Sequence, residues 1–217
     1  KRSIASLTKM MNALVALDLA APDTRITISR AAARMGGSTV GGLPPGGSAR
    51  VGTLLRGMLI VSGNDAANAL AEGLGPGRSR YVDRMNARAR AMHLRCTRFT
   101  SPEGLGAGNV SCARDLALLA RAVLTNPSLR STVAKSWDSI PLDGSRRRLL
   151  RNRNPLMHRR YPGVTGVKTG HTIPAGWCLV ASATRGRHRL ISVMLGSDQH
   201  ARQSQRLLDA GFAALER

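Results

Sequence analysis

Three short patterns in this chain carry the residue types that acyl-transfer chemistry needs: Ser6-Leu7-Thr8-Lys9, Ser62-Gly63-Asn64 and Lys168-Thr169-Gly170. A serine hydroxyl is a weak nucleophile until a neighbouring base takes its proton. A buried lysine can be that base, because desolvation favours the neutral amine, whereas an arginine stays protonated in a protein. The distinction matters because the chain has 29 arginines and only four lysines, at positions 1, 9, 135 and 168. Wherever a positive charge suffices the sequence uses a guanidinium, so Lys9 and Lys168 beside hydroxyl residues stand out.

Ser6 and Lys9 lie three residues apart, which on a helix puts them on one face. The run Leu7, Met10, Met11, Leu14, Val15, Leu17 has helical spacing and predicts a helix over about Ser6–Ala20, with Ser6 at its positive end. Lys9 can act as base if burial and a second cation lower its pKa, and Lys168 is the expected cation. The short pattern alone is more often a capping serine with a surface lysine one turn on. Ser62-Gly63-Asn64 interrupts an apolar stretch, Leu54–Leu74, and predicts a break between two helices. There Ser62 can relay a proton to a leaving group, and Asn64 can hold Lys9 and a substrate backbone. Alternatively the triplet is a helix N-cap, with Asp65 favouring the dipole. Lys168-Thr169-Gly170 ends the short β-like run Val164–Val167, ahead of a hairpin (Trp177–Thr184 and Arg189–Leu195, joined by Arg185–His188). An edge strand ending in glycine admits the backbone of a peptide, and Lys168 and Thr169 would hold a carboxylate or carbonyl. In isolation that triplet is a common turn.

In combination the three motifs resemble those of the penicillin-binding serine acyltransferases. Their context, Ile4–Met11, Ser62–Ala67 and Gly163–Thr172, is similar to the low-molecular-mass D-alanyl-D-alanine carboxypeptidases, as are Met35–Ser38, Phe99–Leu105 and Asn152–Leu156. The resemblance implies an α/β (α+β) fold like the penicillin-binding proteins and serine β-lactamases: an antiparallel sheet flanked by helices (about 1–25 and 161–217) with a mainly helical lobe (about 26–160), one domain over 1–217. It implies that Ser6 attacks the terminal D-Ala-D-Ala bond of a peptidoglycan pentapeptide, with Lys9 as base, Ser62 assisting the leaving group and Asn64 orienting. Lys168, Thr169, Gly170 and His171 would bind substrate, and the N–H groups of Ser6 and His171 would form an oxyanion hole. β-Lactams would acylate Ser6, no cofactor or metal is called for, and the location would be extracytoplasmic, with no signal peptide in this chain.

Two departures from the pattern stand out. Relatives carry a longer stretch before the nucleophile, usually the first strands of the central sheet, whereas five residues precede Ser6 here, so those strands are expected to be missing or the sheet built differently. An arginine that many relatives place before the C-terminal helix for the substrate carboxylate falls at His200, with Arg202 two residues on. A DD-endopeptidase acting on cross-links would use the same residues. A class A β-lactamase would need a deacylating glutamate, for which Glu72, Glu103 and Glu216 are poor candidates.

The net charge of +21 raises a fourth, non-enzymatic reading, a basic module for anionic polymers, and contact with anionic cell wall or membrane surfaces. Nucleic acid is not expected: the arginines are scattered apart from Arg146–Arg148 with Arg151 and Arg153, and aromatics make up only 3%, leaving few stacking platforms. Cys96 and Cys112 flank a loop and can pair, while Cys178 reads as a small core residue. Further helices are predicted over Arg80–Met92 and Ala113–Leu124, the latter stopped by Asn126-Pro127.

Overall fold

The computed structural model describes residues 1–216, so the expected domain end at Arg217 lies outside the described residues. In chain order the elements are β1 (Arg2–Ser3), a 3-10 turn (Ala5–Thr8), α1 (Lys9–Leu19), β2 (Arg25–Thr27), α2 (Arg30–Ala33), β3 (Ser48–Arg50), α3 (Val51–Ile60) and α4 (Asn64–Leu74). Then follow α5 (Arg78–Ala91), β4 (Val110–Ser111), α6 (Ala113–Thr125), α7 (Pro127–Ala134), β5 (Trp137–Pro141), β6 (Arg147–Arg151) and α8 (Pro155–His158). The chain ends with β7 (Val164–Thr172), β8 (Gly176–Arg185), β9 (His188–Met194) and α9 (His200–Leu215).

The antiparallel sheet β7-β8-β9 is the platform for everything that follows. Its middle strand is buried on both faces, which is why Cys178–Ala183 reads as an unbroken run of small and apolar residues rather than an alternation. Leu179, Ala181 and Ala183 face a small core with Tyr161, Ala201, Leu208 and Phe212, the last three supplied by α9 at helical spacing. Cys178 and Val180 face the main core, built largely from the 3-10 turn, α1, α3, α4 and α6. Cys178 is a buried free thiol, as its strand position suggested. Cys96 and Cys112 are joined as a disulfide.

Three local expectations need correction. The first helix begins as a 3-10 turn and becomes α-helical only at Lys9. Lys168-Thr169-Gly170 does not end its strand; β7 runs on through Thr172, because His171 and Thr172 still find partners in Trp177 and Gly176. Asn126-Pro127 stops α6 as expected and in addition starts α7, with Asn126 Oδ1 accepting from Leu129 N–H and Pro127 in the first turn, where a missing N–H costs nothing. At the N-terminus, Arg2 and Ser3 pair with Ser111 and Val110 rather than with the main sheet. The segment between the sheet-lobe parts also contains a two-stranded sheet, β2-β3, with α2 between its strands, and a hairpin, β5-β6, that helical patterning did not announce.

Candidate active site

Ser6 sits in the 3-10 turn, and this explains its distance from Lys9. With three residues per turn, side chains at i and i+3 eclipse one another, and Lys9 Nζ lies 2.8 Å from Ser6 Oγ. The turn is entered through Ala5 at φ 47°, a left-handed conformation that costs a non-glycine residue about 1–2 kcal/mol. The surroundings enforce it: a Cβ on Gly104 would come within 2.1 Å of the Ala5 carbonyl oxygen, so only glycine lets that loop press on the nucleophile turn.

Lys9 is fully buried and has two further partners. It donates to Asn64 Oδ1 at 2.8 Å and to the Glu103 carbonyl at 2.7 Å. Both are acceptors only, so when the amine is neutral its two N–H bonds are spoken for and its lone pair faces Ser6, the one partner with a proton to give. Burial lowers the Lys9 pKa to about 7, opposed by Glu103 and Asp65 and aided by Arg153. Asn64 is itself fixed, its Nδ2 donating to the Gly36 carbonyl and its backbone N–H to that of Ser38.

The triplet around Ser62 forms the predicted break between α3 and α4, with Ser62 at φ 65°. Side-chain capping by the triplet does not occur, because Gly63 occupies the cap position with no side-chain cap bond, but Asp65 does lie in the first turn of α4 as that alternative held. Asp65 also accepts from the N–H groups of Val40, Gly41 and Ala66, tying down the glycine-rich loop over 36–47, and burial raises its pKa. The Ser62 hydroxyl lines the cleft together with Ser6.

On the opposite wall β7 presents its free edge. A Cβ on Gly170 would lie 3.0 Å from the Ile4 carbonyl oxygen and 3.2 Å from the Ser6 nitrogen, so glycine is what brings strand and nucleophile turn together. Thr169, Gly170 and His171 line the cleft. Lys168 does not: its side chain is 2% exposed, and Nζ donates to the Thr169 carbonyl at 2.9 Å. Its pKa is pushed well down by burial first, then by the charges of Lys9 and Arg153. The expectation that Lys168 is the cation depressing Lys9 therefore needs revision. Burial is the main cause, Arg153 is the assisting cation, and Lys168 is itself depressed by Lys9.

Arg153 is the functional candidate that motif reading passed over. Its guanidinium lines the cleft and donates to Ser38 Oγ at 2.8 Å. Neighbouring asparagines lock it in place: Asn152 Nδ2 donates to the Lys135 carbonyl, and Asn154 Nδ2 to that of Gly166. The signal available in sequence was an arginine between two asparagines, the pattern of a backbone held by side-chain amides. Glu103 points its carboxylate toward Arg78 and Asn68, so its carbonyl makes the direct bond to Lys9 while the carboxylate acts on that amine only through its charge.

The mouth is aromatic. His171 lies 4.2 Å from the Trp177 ring, and His200 stacks on the same ring at 5.3 Å with 7° between planes. The His200 Nδ1 proton goes to the Ser197 carbonyl at 3.1 Å, leaving Nε2 unassigned to any protein acceptor by that bond. Of the two C-terminal candidates His200 lines the cleft, whereas Arg202 is exposed on α9 and is not among its lining residues. The cleft encloses about 420 Å³, a space suited to a short peptide terminus.

Comparison with known proteins agrees with this geometry. The family model described as D-alanyl-D-alanine carboxypeptidase matches residues 1–199. A D-alanyl-D-alanine carboxypeptidase of Bacillus subtilis is 35% identical over 98% of this chain and 56% of its own length. One from Mycobacterium tuberculosis is 37% identical over 96% of this chain and 74% of its own length. The chain thus spans little more than half the length of the Bacillus relative. A crystal structure of a D-alanyl-D-alanine carboxypeptidase from M. tuberculosis superposes with a TM-score of 0.89 at 36% identity, covering 98% of this chain and 82% of that one. A mutant Streptomyces DD-transpeptidase gives 0.90 at 31% identity, covering 98% and 89%. Matched by that family model over residues 1–199 and by relatives more than one third identical across nearly all of its length, the chain belongs to the D-alanyl-D-alanine carboxypeptidase family of serine peptidases.

Proposed function

We propose that this protein is a serine D-alanyl-D-alanine carboxypeptidase that trims the terminal D-alanine of peptidoglycan stem peptides. The observation that carries the reading is the 2.8 Å separation of Lys9 Nζ from Ser6 Oγ, with the amine's other two partners restricted to acceptors. In acylation the Ser6 proton passes to Lys9 as Oγ bonds to the carbonyl carbon. The developing oxyanion is stabilised by the backbone N–H groups of Ser6 and His171, brought close by Gly170. Collapse breaks the C–N bond, and the departing amine receives a proton from Lys9 by way of the Ser62 hydroxyl. Water then cleaves the ester and Ser6 regains its proton.

Asn64 holds Lys9 and the substrate amide. The terminal carboxylate is met by the Thr169 hydroxyl and by Arg153, while Lys168, buried beneath the cleft lining, acts through its charge. An arriving anion favours the charged form of that depressed amine, so binding would restore the positive charge that burial removes. β-Lactams present a similar carboxylate and carbonyl and would form the same ester. The Cys96–Cys112 disulfide supports an oxidising, extracytoplasmic setting such as the periplasm or cell surface. The charge of +21 supports contact with anionic wall or membrane surfaces.

The test is intact-protein mass spectrometry after incubation with benzylpenicillin, followed by D-alanine release from a pentapeptide. A single adduct mapped to Ser6, absent in Ser6→Ala, together with D-alanine release, is the expected result. An adduct without D-alanine release would move the reading to another acyl acceptor or substrate. Folded protein without an adduct would end it.

A further inference from the structure

The β5-β6 hairpin has an outward face whose composition the catalytic reading does not use. Its register pairs Trp137 with Arg151, Ser139 with Leu149 and Pro141 with Arg147, and residues directly opposite in an antiparallel pair share a face. The alternate residues Ile140 and Leu150 are buried against the body of the protein. The outward set contains two large apolar side chains left in solvent, Trp137 at 63% and Leu149 at 55% exposure. They flank a depression shared with Ser136, Arg151 and His158. Arg151 stands opposite Trp137, Arg147 and Arg151 flank Leu149 along its strand, Ser139 and Pro141 complete the face, and among the described residues no carboxylate joins them. Asp138 points to the other side and is bound by Arg56 and Lys135 at 3.1 and 3.0 Å, and Asp143 in the turn is neutralised by Arg146 at 2.6 Å.

We propose that this face docks on an anionic lipid bilayer. Tryptophan and leucine favour the boundary between headgroups and acyl chains, and arginines beside them meet lipid phosphates, in the manner of interfacial protein segments. A soluble polyanion would satisfy the arginines but would not desolvate Leu149. A second copy of the chain would set Arg147 and Arg151 against their own images in a symmetric contact. Lipid satisfies both halves of the surface. Because Arg153 follows Arg151 by two positions, a docked hairpin holds the cleft beside the membrane surface.

The experiment is sedimentation of the protein with sucrose-loaded vesicles of phosphatidylglycerol and phosphatidylcholine, against vesicles of phosphatidylcholine alone. Binding is expected only to the anionic vesicles, with brominated lipid quenching tryptophan emission in the parent and not in Trp137→Phe. Trp137→Ser combined with Leu149→Ser should weaken partitioning roughly 10-fold or more, and Arg147→Gln with Arg151→Gln roughly 10-fold. Acylation by benzylpenicillin should be unchanged in both double variants, which reports that they are folded. Equal vesicle binding by the Trp137/Leu149 variant would overturn the proposal. So would full competition by soluble polyglutamate without lipid quenching of Trp137, which would reassign the face to anionic polymers.

Discussion

Lys9 and Lys168 are both hidden from solvent, at 0% and 2% exposure, and both lie beneath the lining of one cleft, yet their surroundings differ in kind. Lys9 has three oxygen partners and two carboxylates, Glu103 and Asp65, whose field resists the effect of burial. Lys168 has a single carbonyl partner and faces only cations, and its pKa falls well below the ordinary amine value. Burial alone therefore does not define a catalytic amine. In the proposed mechanism this partner set would let Lys9 exchange protons near neutrality, and would leave Lys168 short of a negative charge that substrate brings.

The largest effect that would break this contrast comes from Lys9→Arg, which keeps charge and hydrogen-bonding capacity but cannot deprotonate. Benzylpenicillin acylation, followed by mass spectrometry, should slow by about 10²–10⁴-fold. A variant retaining most of its rate would remove Lys9 from the role of base.

Lys168→Met should act on recognition instead. The second-order rate constant toward a peptide with a free C-terminal carboxylate should fall roughly 10- to 100-fold. The deficit should largely vanish for the same peptide with a C-terminal amide. An equal loss on both peptides would place Lys168 in the chemistry and collapse the distinction.

The pH profile sharpens the comparison further. A base must be neutral to take a proton, so the first-order acylation rate should climb with pH through about 7, the Lys9 value. Glu103 raises that value and Arg153 lowers it. Glu103→Gln should therefore move the acidic limb to lower pH and Arg153→Gln to higher pH, each changing the rate on the limb by roughly threefold. Movement of both variants in one direction would show that their effects are not electrostatic.

Cys96→Ser with Cys112→Ser should have the smallest effect on acylation, within about twofold, because the disulfide touches neither lysine. It closes a 16-residue separation, so denaturant unfolding should report a loss of about 3 kcal/mol. A change in the pH limb of that variant would mean the two lysines are held by the fold at larger range than their direct partners suggest.

Much of the site was legible because its spacing is local. Ser6 and Lys9 needed only a helical turn, and a 3-10 turn satisfies the same three-residue interval as an α-helix. Gly63 marked a helix break, and the apolar runs at Trp177–Thr184 and Arg189–Leu195 marked β8 and β9. What escaped depends on distant packing. The Glu103 carbonyl reaches Lys9 from 94 positions away, and no property of a glutamate side chain announces a backbone acceptor. Arg153 looked like one more member of a basic run, because the asparagine bonds that fix it close onto β7 and the end of α7. The hairpin β5-β6 was hidden for a related reason: its arginines read as a charged stretch, and its alternation becomes plain only once register pairs them with Trp137 and Ser139.

The scarcity of lysine has one more chemical consequence. An acyl-serine ester is an electrophile, and primary amines are the protein groups best able to intercept it, whereas protonated guanidinium groups are not nucleophiles. Beyond the two buried amines of the cleft, this chain offers Lys1 and Lys135, and Lys135 is engaged by Asp138 at 3.0 Å. The surface is thus densely cationic and almost devoid of free primary amines, the groups that would most readily take an acyl chain from an ester carried by a neighbouring copy.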